Sequence, residues 1–135
     1  GYKQMRKQPH ELVSRVRLPR RPGGEGALHV YRKVGTREAQ AIAKVCFAGL
    51  GALADGVVSH LRVALGSVAP TVVRCHAIEG LLVGKPLDDD TIDAAVVALG
   101  GEISPIDDIR SSADYRRAVS ENLLVDFLRR LRGRG

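Results

Sequence analysis

The sequence predicts an α+β two-layer sandwich, an antiparallel sheet of three to four strands followed by three helices. Three observations carry this reading. An Asp-Gly pair at residues 55–56 separates two apolar runs and marks a tight hairpin, because Gly accepts the positive φ that such a turn needs. From Pro70 onwards the apolar period lengthens from the two of a strand to the three or four of a helix. The last helical segment carries an apolar stripe long enough to cover one face of a small sheet.

The elements follow in order. In residues 11–19, ELVSRVRLP, Leu12, Ser14, Val16 and Leu18 alternate with Val13, Arg15 and Arg17. This is a period-two strand with an arginine face, stopped by Pro19. RRPGGEG is a turn or loop by composition. Residues 27–33 form the next strand, helped by Val30 and Tyr31. Beyond a charged corner, residues 42–53 and 57–65 flank the Asp-Gly turn. The first arm is apolar on both faces, which suits a central strand. In the second, Leu61, Val63 and Leu65 share one face while His60 and Arg62 share the other.

Val73, Ala77 and Leu81 lie on one helical face, extended by Ile78 and Leu82 and stopped at Gly84 and Pro86. Asp88, Asp89 and Asp90 open a second helix, where negative charge stabilises the positive end of the dipole. Its face is Ile92, Ala95, Val96, Leu99 and Ile103. Ser111-Ser112-Ala113-Asp114 fits the S-x-x-D capping pattern before a third helix. There Tyr115, Val119, Leu123, Phe127 and Leu131 recur every four residues, and Ala118, Leu124 and Leu128 widen the stripe.

The chain of 135 residues fits one domain with a real core, and an aliphatic one, since 4% of residues are aromatic and Trp is absent. No apolar run approaches the roughly 18 residues of a membrane span, and the first residues lack the apolar stretch of a secretory signal. Cys46 and Cys75 stand 29 residues apart, without metal-ligand spacing. They read as free buried thiols, with a disulfide as the alternative, and suit a reducing cytoplasm.

The net charge of +6 sits at the ends: residues 1–21 hold seven basic side chains against Glu11, and residues 129–134 hold four arginines. Residues 22–128 carry ten basic and fourteen acidic groups. An acidic body without aromatic platforms argues against nucleic-acid binding.

Most motifs have plain structural explanations. Gly23 to Gly26 leads into a strand, not a helix, so it does not cradle a phosphate. His10, His29, His60 and His76 share no metal spacing. Asp107, Asp108 and Arg110 precede a capped helix and read as a hydrogen-bonded loop, with Arg110, Arg116 and Arg117 as partners for the carboxylates. No nucleophile is proposed by the sequence. The corner at Lys33-Val34-Gly35-Thr36-Arg37-Glu38 stands out, with its charges crowded beside a Gly between two strands. From the residues alone it is an exposed loop with an Arg37–Glu38 pair.

A resemblance changes the weight of that corner. Residues 33–45, KVGTREAQAIAKV, with Lys33, Gly35, Thr36, Arg37, Ile42, Lys44 and Val45 in order, resemble the flavin subunits of molybdenum hydroxylases. So do residues 64–87, ALGSVAPTVVRCHAIEGLLVGKPL, and residues 104–117, SPIDDIRSSADYRR. Upstream, GYKQM and PHELVSRVRLP are similar to the segment that leaves the FAD-binding domain. That family includes xanthine dehydrogenases and aerobic carbon monoxide dehydrogenases, and its fold here is an antiparallel sheet backed by three helices.

The resemblance divides the chain into residues 1–26, leaving an absent FAD-binding domain as one strand plus loop, and a C-terminal flavoprotein domain at 27–135. It implies a subunit piece, clipped or naturally split, with truncation favoured by the abrupt start at GYKQM. It further implies FAD shared with absent preceding domains, and molybdopterin and iron–sulfur clusters in partner chains. The partners would be the FAD-binding domain, the iron–sulfur subunit and the molybdopterin subunit, in the cytoplasm, with no nucleic acid.

Residues near the flavin ring in xanthine oxidase-type members correspond to Val13 and Lys33, with Arg37 behind them. The isolated chain is then not expected to be catalytic. The alternative is a flavin-free protein-interaction or assembly domain, since fold alone does not fix function.

Overall fold

The computed structural model describes residues 4–18, 26–37 and 41–134. Four strands, β1 (Leu28–Val34), β2 (Val45–Ala54), β3 (Val57–Gly66) and β4 (Val73–Arg74), precede α1 (His76–Leu82), α2 (Asp89–Glu102) and α3 (Ala113–Arg132). The strands lie in chain order, each antiparallel to its neighbour. The fold is therefore the α+β two-layer sandwich, with β2 central and apolar as expected. α3 packs on β2, α1 on β3, and α2 touches both other helices.

Local chemistry explains most boundaries. The hairpin turns at Asp55 and Gly56, whose φ values of 52° and 76° are the positive pair a two-residue turn requires. Asp88 caps α2 reciprocally: its Oδ1 accepts from the Thr91 N–H at 2.8 Å, and Thr91 Oγ1 accepts from the Asp88 N–H at 3.0 Å. α1 has no cap of its own. The Glu102 carboxylate, at the end of α2, instead accepts from the N–H groups of Ala77 and Ile78 at 3.0 and 3.2 Å.

The core is aliphatic apart from the chain's two Phe residues. Phe47 and Phe127 meet with ring centroids 5.5 Å apart and planes tilted by 56°. Phe127 can lie against β2 because the strand has no side chain there. A Cβ on Gly49 would stand 2.8 Å from its ring, and one on Gly51 would stand 2.5 Å from a Leu131 methyl.

Several expectations shift. Residues 11–18 form no strand; Leu12, Val13, Val16 and Leu18 are each at least 75% exposed. Alternation records a capacity to pair, and no strand among the described residues supplies the partner. Val73 belongs to β4 and not to the first helix, because Cys75 still donates its N–H to the Val63 carbonyl at 2.9 Å. Cys75 is then the residue before α1, whose buried face is Ile78, Glu79 and Leu82.

The cap of α3 moves one place, to Ser112, which accepts from the Tyr115 N–H at 3.2 Å. Its buried stripe runs through Arg116, Ser120, Leu124, Phe127, Leu128 and Leu131, leaving Tyr115 43% exposed. β2 begins at Val45, so Ile42 stays in the corner, 66% exposed. Cys46 and Cys75 are both free thiols, and burial, with Glu102 and Glu79 nearby, pushes the Cys75 thiol up to about 12. Of the loop at 23–26 only Gly26 lies among the described residues, as does none of Pro19 or Glu38.

Gly49→Ala is expected to destabilise the domain by about 1–3 kcal/mol through overpacking against Phe127. Pairing it with Phe127→Leu should recover part of the loss. Urea unfolding of the two single variants and the double variant measures this, and simple additivity would refute the contact.

Candidate functional site

With all helices on one side, the other face of the sheet is open. Tyr31, Lys33, Cys46, Ala48, His60, Arg62, Ala64 and Arg74 belong to it by alternation and register. Small side chains on β2 and β3 leave a shallow trough of about 800 Å³, walled by His29, Tyr31, His60, Arg62 and Arg74. Lys33 stands at one end, paired across the strands with Cys46, exposed and without a hydrogen-bond or ion-pair partner among the described residues. Beside it the Tyr31 hydroxyl donates to Cys46 Sγ at 3.8 Å, which pushes the phenol's pKa up.

The corner after Lys33 is closed at its base by the Lys44 N–H, which donates to the Val34 carbonyl at 2.7 Å. Gly35 fits against Ala41, whose Cβ would lie 3.1 Å from an added one. Arg116 reaches the corner from α3. Although only 4% exposed, its guanidinium donates to the carbonyls of Lys44 at 2.7 Å and Ser67 at 2.8 Å, and to Asp108 Oδ1 at 2.7 Å.

Asp108 also accepts from the backbone N–H groups of Arg110 and Ser111. These bonds, with the Arg116 guanidinium, outweigh desolvation and hold its carboxyl well down, to about 2. Lys44 Nζ sits 4.8 Å from the centroid of the Tyr115 ring. The two segments that stood out in the sequence, 33–45 and 104–117, thus meet at one end of the sheet.

A second buried charge closes the joint between β3, β4 and α1. Glu79, 6% exposed, accepts from the Val63 N–H at 3.0 Å and binds Arg74 through two bonds of 2.9 Å. Arg62 lies 3.6 Å away. Desolvation pushes this carboxyl up, but Arg74 and the Val63 N–H prevail and its pKa is lowered. The carboxylate takes the place of the strand carbonyl that β4, two residues long, does not extend to provide.

Lys33 and Arg37 therefore fall on the same end of the sheet, with Arg37 beside Thr36, Ile42 and Arg110 around a cavity of about 280 Å³. Val13 does not join them. It is 75% exposed, and no hydrogen bond among the described residues ties it to the sheet. Of the expected arginine partners, Arg110 and Arg116 do pair with Asp108, whereas Arg117 donates to the Gly100 carbonyl at 3.3 Å. Asp107 accepts from the Ala113 N–H at 2.6 Å.

Sequence reasoning missed Glu79 and the carbonyls that Arg116 binds. The signal available for Glu79 was a carboxylate inside the apolar run Ile78 to Leu82. Among the described residues no group of His, Cys, Asp or Glu side chains is placed to hold a metal ion, and no helix is long and apolar enough to cross a membrane.

Because the folded Asp108 carboxyl titrates near 2 and an unfolded one near its ordinary 3.8, its contribution is complete above about pH 4 and is lost as pH falls towards 2. Asp108→Asn is expected to flatten the loss of stability in that window, measured as thermal midpoints from pH 5 to 2. Arg116→Met, which strands two carbonyls, is expected to cost about 1–3 kcal/mol at neutral pH.

Residues 29–131 match the CO dehydrogenase flavoprotein C-terminal domain family. The carbon monoxide dehydrogenase medium chain of Hydrogenophaga pseudoflava is 28% identical over 117 residues, which is 87% of this chain and 40% of that one. The nicotine 6-hydroxylase medium subunit of Paenarthrobacter nicotinovorans is 30% identical over 114 residues, 84% of this chain and 38% of that one. A xanthine dehydrogenase FAD-binding subunit of Escherichia coli O157:H7 is 29% identical over 107 residues, covering 78% and 36%.

Among solved structures, carbon monoxide dehydrogenase from Hydrogenophaga pseudoflava lacking the Mo-pyranopterin moiety superposes with a TM-score of 0.74 and 32% identity, over 82% of this chain and 38% of that one. The chain spans about two fifths of the length of these relatives. It belongs to the family of C-terminal domains of FAD-binding medium subunits of the carbon monoxide and xanthine dehydrogenase type, the molybdenum hydroxylases.

Proposed function

We propose that this domain forms one wall of the FAD site in the medium subunit of a molybdenum hydroxylase and helps to dock the neighbouring subunits. Electrons in such an assembly would pass from a molybdopterin centre through iron–sulfur clusters in partner chains to FAD, and on to an acceptor. The observation that carries this reading is Lys33: an exposed ammonium without an acidic partner among the described residues, on an open face and next to a corner braced from α3.

The residues present fit part of the cofactor. An open trough floored by Ala48 and Ala64 suits a flat ring, and Lys33 at its end suits the electron-rich edge of that ring. The chain offers no glycine-rich turn before a helix for the pyrophosphate, so that part would be held by the preceding domains. Bound FAD supplies the capacity to take up and pass on electrons. The role of Lys33 is electrostatic, to favour negative charge on the ring, while Arg37 braces the corner. Val13 would approach only once residues 11–18 gain a pairing partner.

In the complete medium subunit, Lys33→Ala is expected to make the flavin potential more negative, because a cation beside the ring favours its reduced, anionic form. A unit charge at about 4 Å contributes about 1 kcal/mol in water and about 4 kcal/mol at a partly dry site. For a two-electron couple this corresponds to about 20–90 mV. Spectroelectrochemical titration of both forms measures it. An unchanged potential with unchanged FAD retention would remove Lys33 from the site and favour the flavin-free interaction domain.

A further inference from the structure

We propose that the cleft between the corner and the 104–110 loop is a docking site for a partner segment that carries aliphatic side chains flanked by carboxylates. The proposal does not rest on the flavin reading. Three large aliphatic side chains surround this one place on the domain, from three separate stretches of chain. Ile42 is 66% exposed, Val72 73% and Ile106 71%. Their counterparts elsewhere on the domain's helices and strands are scattered singly, whereas contiguous exposed apolar surface marks a contact site.

The cleft holds about 590 Å³, enough for two or three aliphatic side chains of a partner. It is preformed rather than a loose gap. The Ser104 N–H donates to the Val68 carbonyl at 2.9 Å, and Asp108 and Ser111 exchange backbone bonds of 3.0 and 3.2 Å. Arg116 ties the 67 and 44 carbonyls to the Asp108 loop from behind, so all three walls share one anchor.

Charge selects the occupant. Both acids of the loop are spent internally: Asp107 accepts from the Ala113 N–H, and Asp108 serves Arg116 and Arg110. Around the cleft and the adjoining cavity the described charged side chains are Arg37, Lys44, Arg110 and Arg116 against Asp108, an excess of positive charge, with Arg110 held on Asp108 and Lys44 over Tyr115. At the cleft wall Arg116 also keeps one donor, Nε, without a partner. A basic, aliphatic rim repels a second copy of itself and attracts an acidic one of matching greasiness. That chemistry also excludes a nucleic acid, which would leave the three aliphatics in water.

The test uses the 135-residue chain, labelled with ¹⁵N, and a peptide of about twelve residues alternating Leu and Glu, in low salt. Amide shifts are expected at residues 42–44, 67–72 and 104–110, and they should weaken as salt rises. Val72→Ser combined with Ile106→Ser should weaken binding by roughly tenfold, as two exposed aliphatic contacts are lost. Both positions are solvent-exposed, so an undisturbed spectrum of the variant establishes that it is folded. A peptide alternating Leu and Lys should leave the cleft unmoved. Shifts confined to residues 4–17 and 129–134 would mean charge attraction to the basic ends and would overturn the proposal. So would concentration-dependent shifts at the cleft without peptide, which would make the occupant a second copy, or no shifts at all.

Discussion

The Arg116 guanidinium holds together the parts of this domain that face outwards. It sits in the first turn and a half of α3, where the helix already presents its positive end, so a cation there is doubly disfavoured: by the dipole and by burial. Only an anion and well-placed acceptors make it tolerable. Asp108 supplies the charge, and the carbonyls of Lys44 and Ser67 supply the rest. The arrangement explains why the Asp108 carboxyl is held so low, and why Asp107 and Asp114 stand around the same helix start. A guanidinium serves here where an ammonium would not, since its planar fork reaches acceptors in three directions at once. Replacing it by an apolar group would leave strand-end carbonyls without partners, and the corner and the 104–110 loop would lose their common anchor.

Glu79 solves a related problem along the outer edge of β3. β4 is two residues long, so the ladder along β3 stops before its donors are used up. The Val63 N–H would be stranded beneath α1, where water does not reach. A carboxylate accepts it and takes its counter-charge from Arg74. A buried Arg and a buried Glu thus satisfy the sheet's loose backbone groups without extending it. This economy leaves one face bare, and the bare face is where Lys33, Tyr31 and Arg62 are displayed.

What was legible in the sequence was whatever depended on neighbours a few residues away. The Asp55-Gly56 turn, the Asp88 cap and the central position of β2 all follow from local rules, and each is in place. The failures share a different cause. Val73 reads as helix because its helical spacing is good, yet it pairs as strand with Leu65, eight residues back. Arg116 reads as a partner for the loop carboxylates and does bind Asp108, but its other acceptors lie 72 and 49 residues away, and backbone carbonyls leave no trace in a sequence. Residues 11–18 fail in the opposite sense. Their alternation is real, but a strand is a relation between two segments, and the second is not among the described residues.

A lysine is a poor instrument for fixing a charge in space, because four rotatable bonds let the ammonium wander. If Lys33 acts on a flavin, its precision must come from its surroundings. β1 is an edge strand and offers little restraint by itself. Restraint comes from the far side: the Lys44 N–H closes the corner onto Val34, the Lys44 carbonyl is gripped by Arg116, and Gly35 admits no side chain that would prise Ala41 away. The same grip shapes the aliphatic cleft one step further along. A partner that filled the cleft would press on Ile42 and on the loop carrying Asp108, and so on the acceptors that Arg116 uses to hold the corner. Docking and the position of the Lys33 charge would then be coupled through one guanidinium, and a change at either end should be felt at the other.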